Sequence, residues 1–334
     1  MLVAGLLLLG LLAAQDGLFE AAGFALARLP GGGGVLLCSL LLLEAVVTAV
    51  LNLDTAVVFM TPVLLHAARR RGHRVEPFLY GAVSMANAAS LLLPGSNVTN
   101  LIVLSKERIP GAVFADRIAP AWAVSVASTI VFLLVVFRRD LRLSAVAGTK
   151  RPAFRPGLGL VGVVGATALV LALSRPALPV LAFACALALV ARIPARRVLA
   201  ATNPVLLVGV FGVAVALGTL GRGVASLGDL TMHASSWASA GLGAGSALLV
   251  NNLPAAAMLS AHRPAHPRAL LVGLDLGPNL AVTGSLSAVL WLQVARAAGA
   301  EPSVRRYSAL GLVLVPASIA LAVLALSISP PPGL

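Results

Sequence analysis

The apolar runs of this chain are interrupted by polar residues in two corresponding pairs. The runs at 35–65 and 235–261 each contain a polar cluster, and each is followed by a second interrupted run, at 78–104 and 269–294. Polar, helix-breaking residues within such apolar sequence are costly in lipid unless they line a cavity inside the protein. The pattern therefore predicts two helical hairpins and two broken helices whose interruptions face the same interior.

Plain apolar runs, close to the roughly 17–25 residues needed to cross a bilayer, complete the pattern. They are predicted at 1–27 (with a bend near Gln15-Asp16-Gly17), 119–137, 157–173, 178–190, 203–220 and 307–327, with an amphipathic connector at 221–234. The order hairpin, broken helix, plain helix occurs twice, and the crossing count gives the two copies opposite orientations. This predicts an inverted repeat, a common plan of secondary transporters.

The predicted repeats are 1–137 and 157–328, joined by a basic linker at 138–156 and followed by a Pro-rich tail at 329–334. The second repeat begins with two crossings, within 157–190, that have no counterpart in the first. We therefore expect the first repeat to lack its first two helices, through a late start or a truncation.

Composition sets the class of the protein. The chain is 59% hydrophobic and only 10% charged, with a mean hydropathy of +1.00. Its apolar runs do not alternate as the strands of a membrane barrel do. The fold class is therefore predicted as an all-α polytopic membrane protein, whose main partner is the lipid bilayer.

The net charge of +13 arises from arginines in short loops between apolar runs, so it does not indicate nucleic acid as a partner. In the predicted arrangement, 17 of the 24 basic residues lie on one side, in the loops at 28–34, 66–77, 138–156, 191–202 and 295–306. The positive-inside rule assigns that side to the cytoplasm and predicts a multi-pass protein of the inner membrane. The same count results whether each hairpin is re-entrant or fully spanning.

Three carboxylic acids within apolar runs are candidates for proton coupling, namely Asp54, Asp275 and Glu44. Ionisable groups at membrane depth are rare and usually functional. Because loss of water disfavours the charged form, each of them can take up a proton. A plainer interpretation applies to Asp54: it lies beside Asn52 and Thr55, and all three are favourable helix N-cap residues.

Neutral polar residues at the interruptions are candidates for substrate or ion binding. Amides donate and accept hydrogen bonds without carrying charge, which suits a neutral polyhydroxy solute or a cation held by carbonyl oxygens. Free N–H groups at half-helix starts attract anions and polar solutes. The plainer interpretation is turn chemistry and helix kinks. The candidates, with Asp54 and Asp275, are Asn52, Thr55, Ser96, Asn97, Asn251, Asn252, Thr283, Gly284 and Ser285.

The sequence gives no indication of a catalytic, metal or cofactor site. His262 and His266 have metal-ligand spacing, but Pro264 lies between them in a loop. An intramembrane enzyme is disfavoured because every histidine lies at a segment end or in a loop: His66, His73, His233, His262 and His266.

Several of these motifs resemble those of the arsenite efflux permease family, within the superfamily of ion transporters that includes sodium/proton antiporters and citrate or dicarboxylate carriers. The likeness is carried by Thr61-Pro62, Ala89-Ser90-Leu, Ser96-Asn97, Val250-Asn-Asn-Leu-Pro254, Asp275-Leu-Gly-Pro278, Gly284-Ser-Leu and Leu290-Trp291-Leu. It implies re-entrant hairpins, a scaffold part, a moving transport part, and proton-driven export of arsenite or antimonite. It also implies an ATPase subunit in some members; a homodimer is a further expectation.

The chain departs from this family pattern at three positions. It has Leu53-Asp54-Thr55 where Asn-Asp-Gly is usual, Asn87 where an acidic residue is usual, and Asn279 where a lysine is usual. Proton-coupled efflux of arsenite or antimonite is the functional prediction. The alternative is a sodium/proton antiporter or a sodium-coupled anion carrier of the same fold, although the usual Ser-Asn-Thr of carboxylate carriers is absent from the hairpin tips. A truncated, inactive paralogue is the remote alternative.

Overall fold

The computed structural model of the chain describes residues 1–107, 109–142, 157–173, 175–202 and 230–328, with isolated positions between 208 and 223. Each regular element in this part is a helix. The predicted crossing at 203–220, most of the connector at 221–234, the linker beyond 142 and the tail at 329–334 lie outside the described residues.

The N-terminal run forms two helices, α1 (Leu2–Gln15) and α2 (Leu18–Ala27), which are bent by 59° at the predicted place. Gly17 permits the bend because its φ of 73° lies in the left-handed region that favours glycine. Helix α1 packs against α8 (Leu158–Ala172) and α9 (Ala177–Val190). Helix α10 (Ala195–Thr202) follows α9 along the chain.

The two predicted hairpins are present, with short breaks between their arms. The first consists of α3 (Gly33–Val50) and α4 (Leu53–Arg70). The second consists of α11 (Ser236–Val250) and α12 (Asn252–Leu259). The break therefore occupies two residues in the first hairpin and one in the second, at the polar clusters.

The two predicted broken helices are also present. The first is α5 (Glu76–Ala89), followed by a 3-10 turn at 94–96 and α6 (Val98–Val103). The second is α13 (Pro267–Leu276), followed by 3-10 turns at 277–280 and 282–284 and by α14 (Leu286–Ala297). Asn100 supports the first break, since its amide donates to the carbonyls of Ser90 and Leu93 at 2.8 and 3.1 Å.

A plain helix follows each broken helix, α7 (Gly111–Val136) and α15 (Val304–Ile328). Helix α7 begins eight residues before the predicted 119, because Pro120 lies inside it without ending it. Helices α3, α7 and α15 are long and apolar enough to cross a membrane, and the bent pair α1–α2 is a fourth candidate. The other apolar helices of the described chain are shorter, at 10–17 residues.

The same packing pattern occurs in both halves. Helix α3 packs on α5, as α11 packs on α13, and the plain helices α7 and α15 pack on each other. The short arms cross between the halves: α4 packs on α14, and α12 packs on α6. Each hairpin tip therefore meets the interrupted segment of the other half.

Small residues allow the closest of these approaches. A Cβ at Gly273 of α13 would overlap the carbonyl of Ala240 in α11, and one at Gly243 would meet the carbonyl oxygen of Leu270 at 2.6 Å. Because neighbouring backbones touch here, the second hairpin is held tightly against the second broken helix.

Candidate functional site

The four half-helices that follow the interruptions each begin with a capping side chain. Asn52 of α4 accepts from the Thr55 N–H at 2.7 Å, and Asn97 of α6 accepts from the Thr99 N–H at 3.2 Å. The caps of α12 and α14 are Asn251 and Ser285, which accept from the N–H groups of Leu253 and Ala288. The capping interpretation of Asn52 is therefore confirmed, while Asp54 and Thr55 lie inside the first turn.

Asp54 joins the first hairpin to the second broken helix. Its Oδ1 accepts a hydrogen bond of 2.5 Å from the hydroxyl of Ser287, in the first turn of α14. Asp54 is half-buried, whereas Ser287 is buried. Two helix N-termini thus meet at one carboxyl group, and the positive ends of their dipoles favour negative charge there. Ser287 was not among the residues predicted from the sequence.

Asp275 joins the two broken helices. It is completely buried, and its Oδ1 accepts a hydrogen bond of 2.9 Å from the amide of Asn97, the cap of α6. Its Oδ2 is also buried and has no hydrogen-bond partner among the described residues, although the Ser90 hydroxyl lies near the carboxyl group. A buried carboxyl group with neutral neighbours and one unpaired oxygen is suited to holding a proton.

Asn251 occupies an unusual backbone conformation at the tip of the second hairpin. Its φ of 76° and ψ of 151° lie in a region that is nearly restricted to glycine. Its side-chain amide also donates to the carbonyl of Thr283 at 3.0 Å, next to the cap of α14. A non-glycine residue in such a conformation makes the Asn251 side chain a candidate functional group.

Two of the departures from the family pattern contact each other. The amide of Asn87 donates to Oδ1 of Asn279 at 2.7 Å, and the amide of Asn279 donates to the Ser84 carbonyl at 3.3 Å. The hydroxyl of Tyr307 donates to the Pro278 carbonyl at 2.8 Å beside them. Where the family usually has an acid and a lysine, this chain has a neutral amide pair. The sequence analysis had named both positions as departures, but no local pattern predicted that they contact each other.

Glu44 lies apart from these contacts. It is completely buried in α3, and neither carboxylate oxygen has a hydrogen-bond partner among the described residues. Three other buried polar atoms of the first hairpin are likewise unpartnered among the described residues, on Thr48, Asn52 and Thr55. Buried polar groups are normally satisfied, so the Glu44 carboxyl group is suited to being protonated or to contacting solvent.

The remaining predicted residues have mixed surroundings. The hydroxyl of Ser96 donates to the Ala49 carbonyl at 2.7 Å and accepts from the Leu93 N–H, so it supports the fold at the first break. Gly284 is buried against Pro278, where a Cβ would come within 2.8 Å of its Cα. Asn252 is buried, whereas Thr283 is exposed.

Two cavities of the described chain lie away from these residues. One of about 380 Å³ is lined by Glu20, Phe24 and His66, among others, and is mainly apolar. Another, of about 780 Å³, lies between α1 and α9 and includes Pro94 at the edge of the first break.

The chain matches the citrate transporter family over residues 1–274. It belongs to that family. The prediction of a resemblance to arsenite permeases, within the superfamily that includes citrate carriers, is thereby confirmed. The several apolar helices and this membership make the chain a multi-pass membrane protein of a transporter family.

Individual relatives of this citrate transporter family member include an arsenical pump protein and a silicon efflux transporter. The arsenical pump membrane protein of Escherichia coli K12 is 28% identical over 333 aligned positions, which cover 86% of this chain and 76% of that protein. The silicon efflux transporter LSI3 of Oryza sativa subsp. japonica is 29% identical over 125 residues, covering 37% of this chain but only 26% of the rice protein.

The fold resembles that of a solved transporter. The crystal structure of the YdaH transporter of Alcanivorax borkumensis superposes with a TM-score of 0.58 at 16% sequence identity. The match covers 99% of this chain and 85% of that one. The predicted all-helical transporter fold is thus confirmed at the level of overall architecture.

Proposed function

We propose that this protein is an inverted-repeat secondary transporter that exports arsenite or antimonite in exchange for protons. The observation that carries the proposal is Asp275, a completely buried carboxyl group paired with the neutral amide of Asn97 at the meeting point of the two broken helices. Asp54, which accepts a hydrogen bond from Ser287, is the second proton carrier, and Glu44 is the third.

The reciprocal packing of the two halves supports the inverted repeat. Each hairpin contacts the broken helix of its own half and that of the other half. The second hairpin is best explained as re-entrant, because the eight residues of α12 extend only about 12 Å at 1.5 Å per residue. A bilayer core is about 30 Å thick, so this arm is too short to cross it.

The substrate assignment is supported by the chemistry at the interruptions. Asn52, Asn97 and Asn251 offer neutral donors and acceptors, and their side-chain hydrogen bonds within the described chain involve no lysine or arginine. An uncharged hydroxylated solute needs such groups and needs no counter-charge. The names of the relatives from E. coli and rice, an arsenical pump and a silicon efflux transporter, point to the same class of solute.

The family description supports a second candidate, a sodium-coupled carrier of a carboxylate anion. Four helix N-termini begin at the interruptions, and their free N–H groups attract anions. A sodium/proton antiporter of the same fold is its near variant. A homodimer and an accompanying ATPase subunit remain predictions.

Transport into everted membrane vesicles separates these candidates. Vesicles containing the protein are given arsenite, a dicarboxylate or sodium, each with and without an imposed proton gradient. We expect arsenite accumulation that requires the gradient. Accumulation of dicarboxylate that requires sodium would instead establish the second candidate, and uptake of none of the three would contradict both.

The variant Asp54→Asn tests the coupling role directly. Asparagine keeps an oxygen that can accept a hydrogen bond from the Ser287 hydroxyl, but its amide cannot take up and release a proton as a carboxyl group does. We expect gradient-driven arsenite uptake to fall to the background of empty vesicles, while membrane insertion is unchanged. Full arsenite resistance in a sensitised bacterial host carrying this variant would remove Asp54 from the mechanism.

A further inference from the structure

Three arginines that are distant in the sequence line one cavity of about 320 Å³. Arg117 belongs to α7, Arg263 to the loop between α12 and α13, and Arg268 to the first turns of α13. We call this site the basic cavity. Its wall also includes Glu107, Ile109, Phe114, Ser236, His266 and Leu326.

The positive charge of the basic cavity is not neutralised within the described part of the chain. None of its three arginines forms an ion pair there, although Glu107 lies in the same wall. Arg268 donates a hydrogen bond of 3.2 Å to the carbonyl of Arg117, which fixes one guanidinium beside the backbone of the other. The N-cap residue of α13, His266, makes no side-chain hydrogen bond to its helix, so the positive end of that helix dipole adds to the field.

The distribution of charge over the whole chain makes this cluster unexpected. Only seven of the 24 basic residues lie outside the loops that we assign to the cytoplasm. Three of those seven converge on this one cavity. Like charges brought together repel one another, and a bound anion offsets that repulsion.

The wall chemistry indicates the class of anion. Guanidinium groups match the oxygens of phosphate and carboxylate through paired hydrogen bonds, which favours an oxyanion over halide ions. Ile109, Phe114 and Leu326 add apolar surface beside the charged groups. Leu326 lies two residues from the end of the apolar helix α15, so the cavity opens near one end of a membrane-crossing helix.

We propose that the basic cavity binds a phosphate group, carried by an anionic lipid of the adjacent leaflet or free in solution. Basic pockets between membrane helices on the cytoplasmic side bind phospholipid head groups, and the same pairing of guanidinium with phosphate is available in the opposite leaflet. The site shares no residue with the polar groups at the interruptions, so the proposal of phosphate binding does not depend on the proposed transport function.

The test uses the purified full-length protein in neutral detergent. Lipid adducts are measured by native mass spectrometry with phosphatidylglycerol or phosphatidylcholine, and the unfolding temperature is followed while inorganic phosphate is titrated. The variants are the triple substitution R117Q/R263Q/R268Q and the single substitution Arg263→Gln, at a position where the side chain is exposed. Arg175→Gln is the matched control, an exposed arginine outside the cavity.

We expect phosphatidylglycerol to bind more tightly than phosphatidylcholine and each lost arginine to weaken binding roughly fivefold. If phosphate raises the unfolding temperature without competing with the lipid, the site binds a free oxyanion. In that case the rise in unfolding temperature should depend on the same arginines. Equal binding by wild type and Arg263→Gln, or an equal loss in Arg175→Gln, would overturn the proposal even if the triple variant did not fold.

Discussion

At the scale of single residues, Asp275 provides the sharpest test of coupling. Asparagine at this position retains an oxygen for the Asn97 amide, so the contact between the broken helices can persist. We expect Asp275→Asn to insert and remain folded but to lose gradient-driven arsenite uptake. Everted vesicles provide the measurement, and Asn97→Ala, which removes the partner and keeps the acid, is the comparison variant. Retained coupling in Asp275→Asn would assign the proton to another group.

Glu44 calls for a different expectation, because no described side chain pairs with it. Glutamine resembles the protonated acid in shape, so Glu44→Gln should leave the unfolding temperature unchanged. Glu44→Ala removes buried volume and should cost about 2 kcal/mol or more. If Glu44 carries protons, Glu44→Gln also makes arsenite export less dependent on the gradient. A marked loss of stability in Glu44→Gln would show that the charged form is needed for folding.

The sequence identified most polar residues of the candidate site but not their partners. Asp54, Asn97 and Asp275 stand out because each interrupts an apolar run. Ser287, the partner of Asp54, lies 233 positions further along the chain and looks like an ordinary serine near a helix start. Pairings across the two halves depend on how the halves dock, and no local pattern encodes that.

At the scale of elements, substitutions at the tip of the second hairpin distinguish an effect on stability from an effect on transport. Glycine adopts the backbone conformation of Asn251 without strain, but it loses the cap of α12 and the contact with Thr283. We expect Asn251→Gly to be about as stable as wild type, since relief of strain offsets a lost cap of about 1 kcal/mol. Arsenite uptake should nevertheless fall. Asn251→Ala, which keeps the strain and loses the cap, should have a lower unfolding temperature than either.

Element boundaries followed from the sequence where local chemistry determines them. The bend at Gly17 and both hairpin breaks coincide with residues that favour a left-handed backbone or a helix cap. The start of α7 was wrong by eight residues, because the helix begins at Gly111 and runs on through Pro120. Whether the short arms span or re-enter could not be inferred from hydropathy, which is similar for both cases.

At the scale of the whole molecule, loops that the charge pattern assigns to the cytoplasm lie close together. Arg71 donates to the carbonyls of Ala27, Leu29 and Gly31, and Arg69 donates to those of Ala298 and Gly299 at 2.6 and 2.8 Å. Arg74 pairs with Asp140 at 3.2 Å. The loops at 28–34, 66–77 and 295–306 and the start of the linker therefore share one end of the molecule. By the positive-inside rule these arginines favour one orientation of the protein in the membrane, and they also donate hydrogen bonds to backbone carbonyls near helix ends.

This arrangement predicts which end faces the cytoplasm. Single cysteines are introduced as Arg305→Cys at that end and Arg175→Cys at the other, both at exposed positions, in a background carrying Cys38→Ala and Cys185→Ala. In intact spheroplasts, a membrane-impermeant maleimide should label Arg175→Cys and leave Arg305→Cys unreacted, because the basic loops stay inside. Everted vesicles should give the opposite result. The reverse labelling in both preparations would invert the topology and place the basic cavity on the cytoplasmic side.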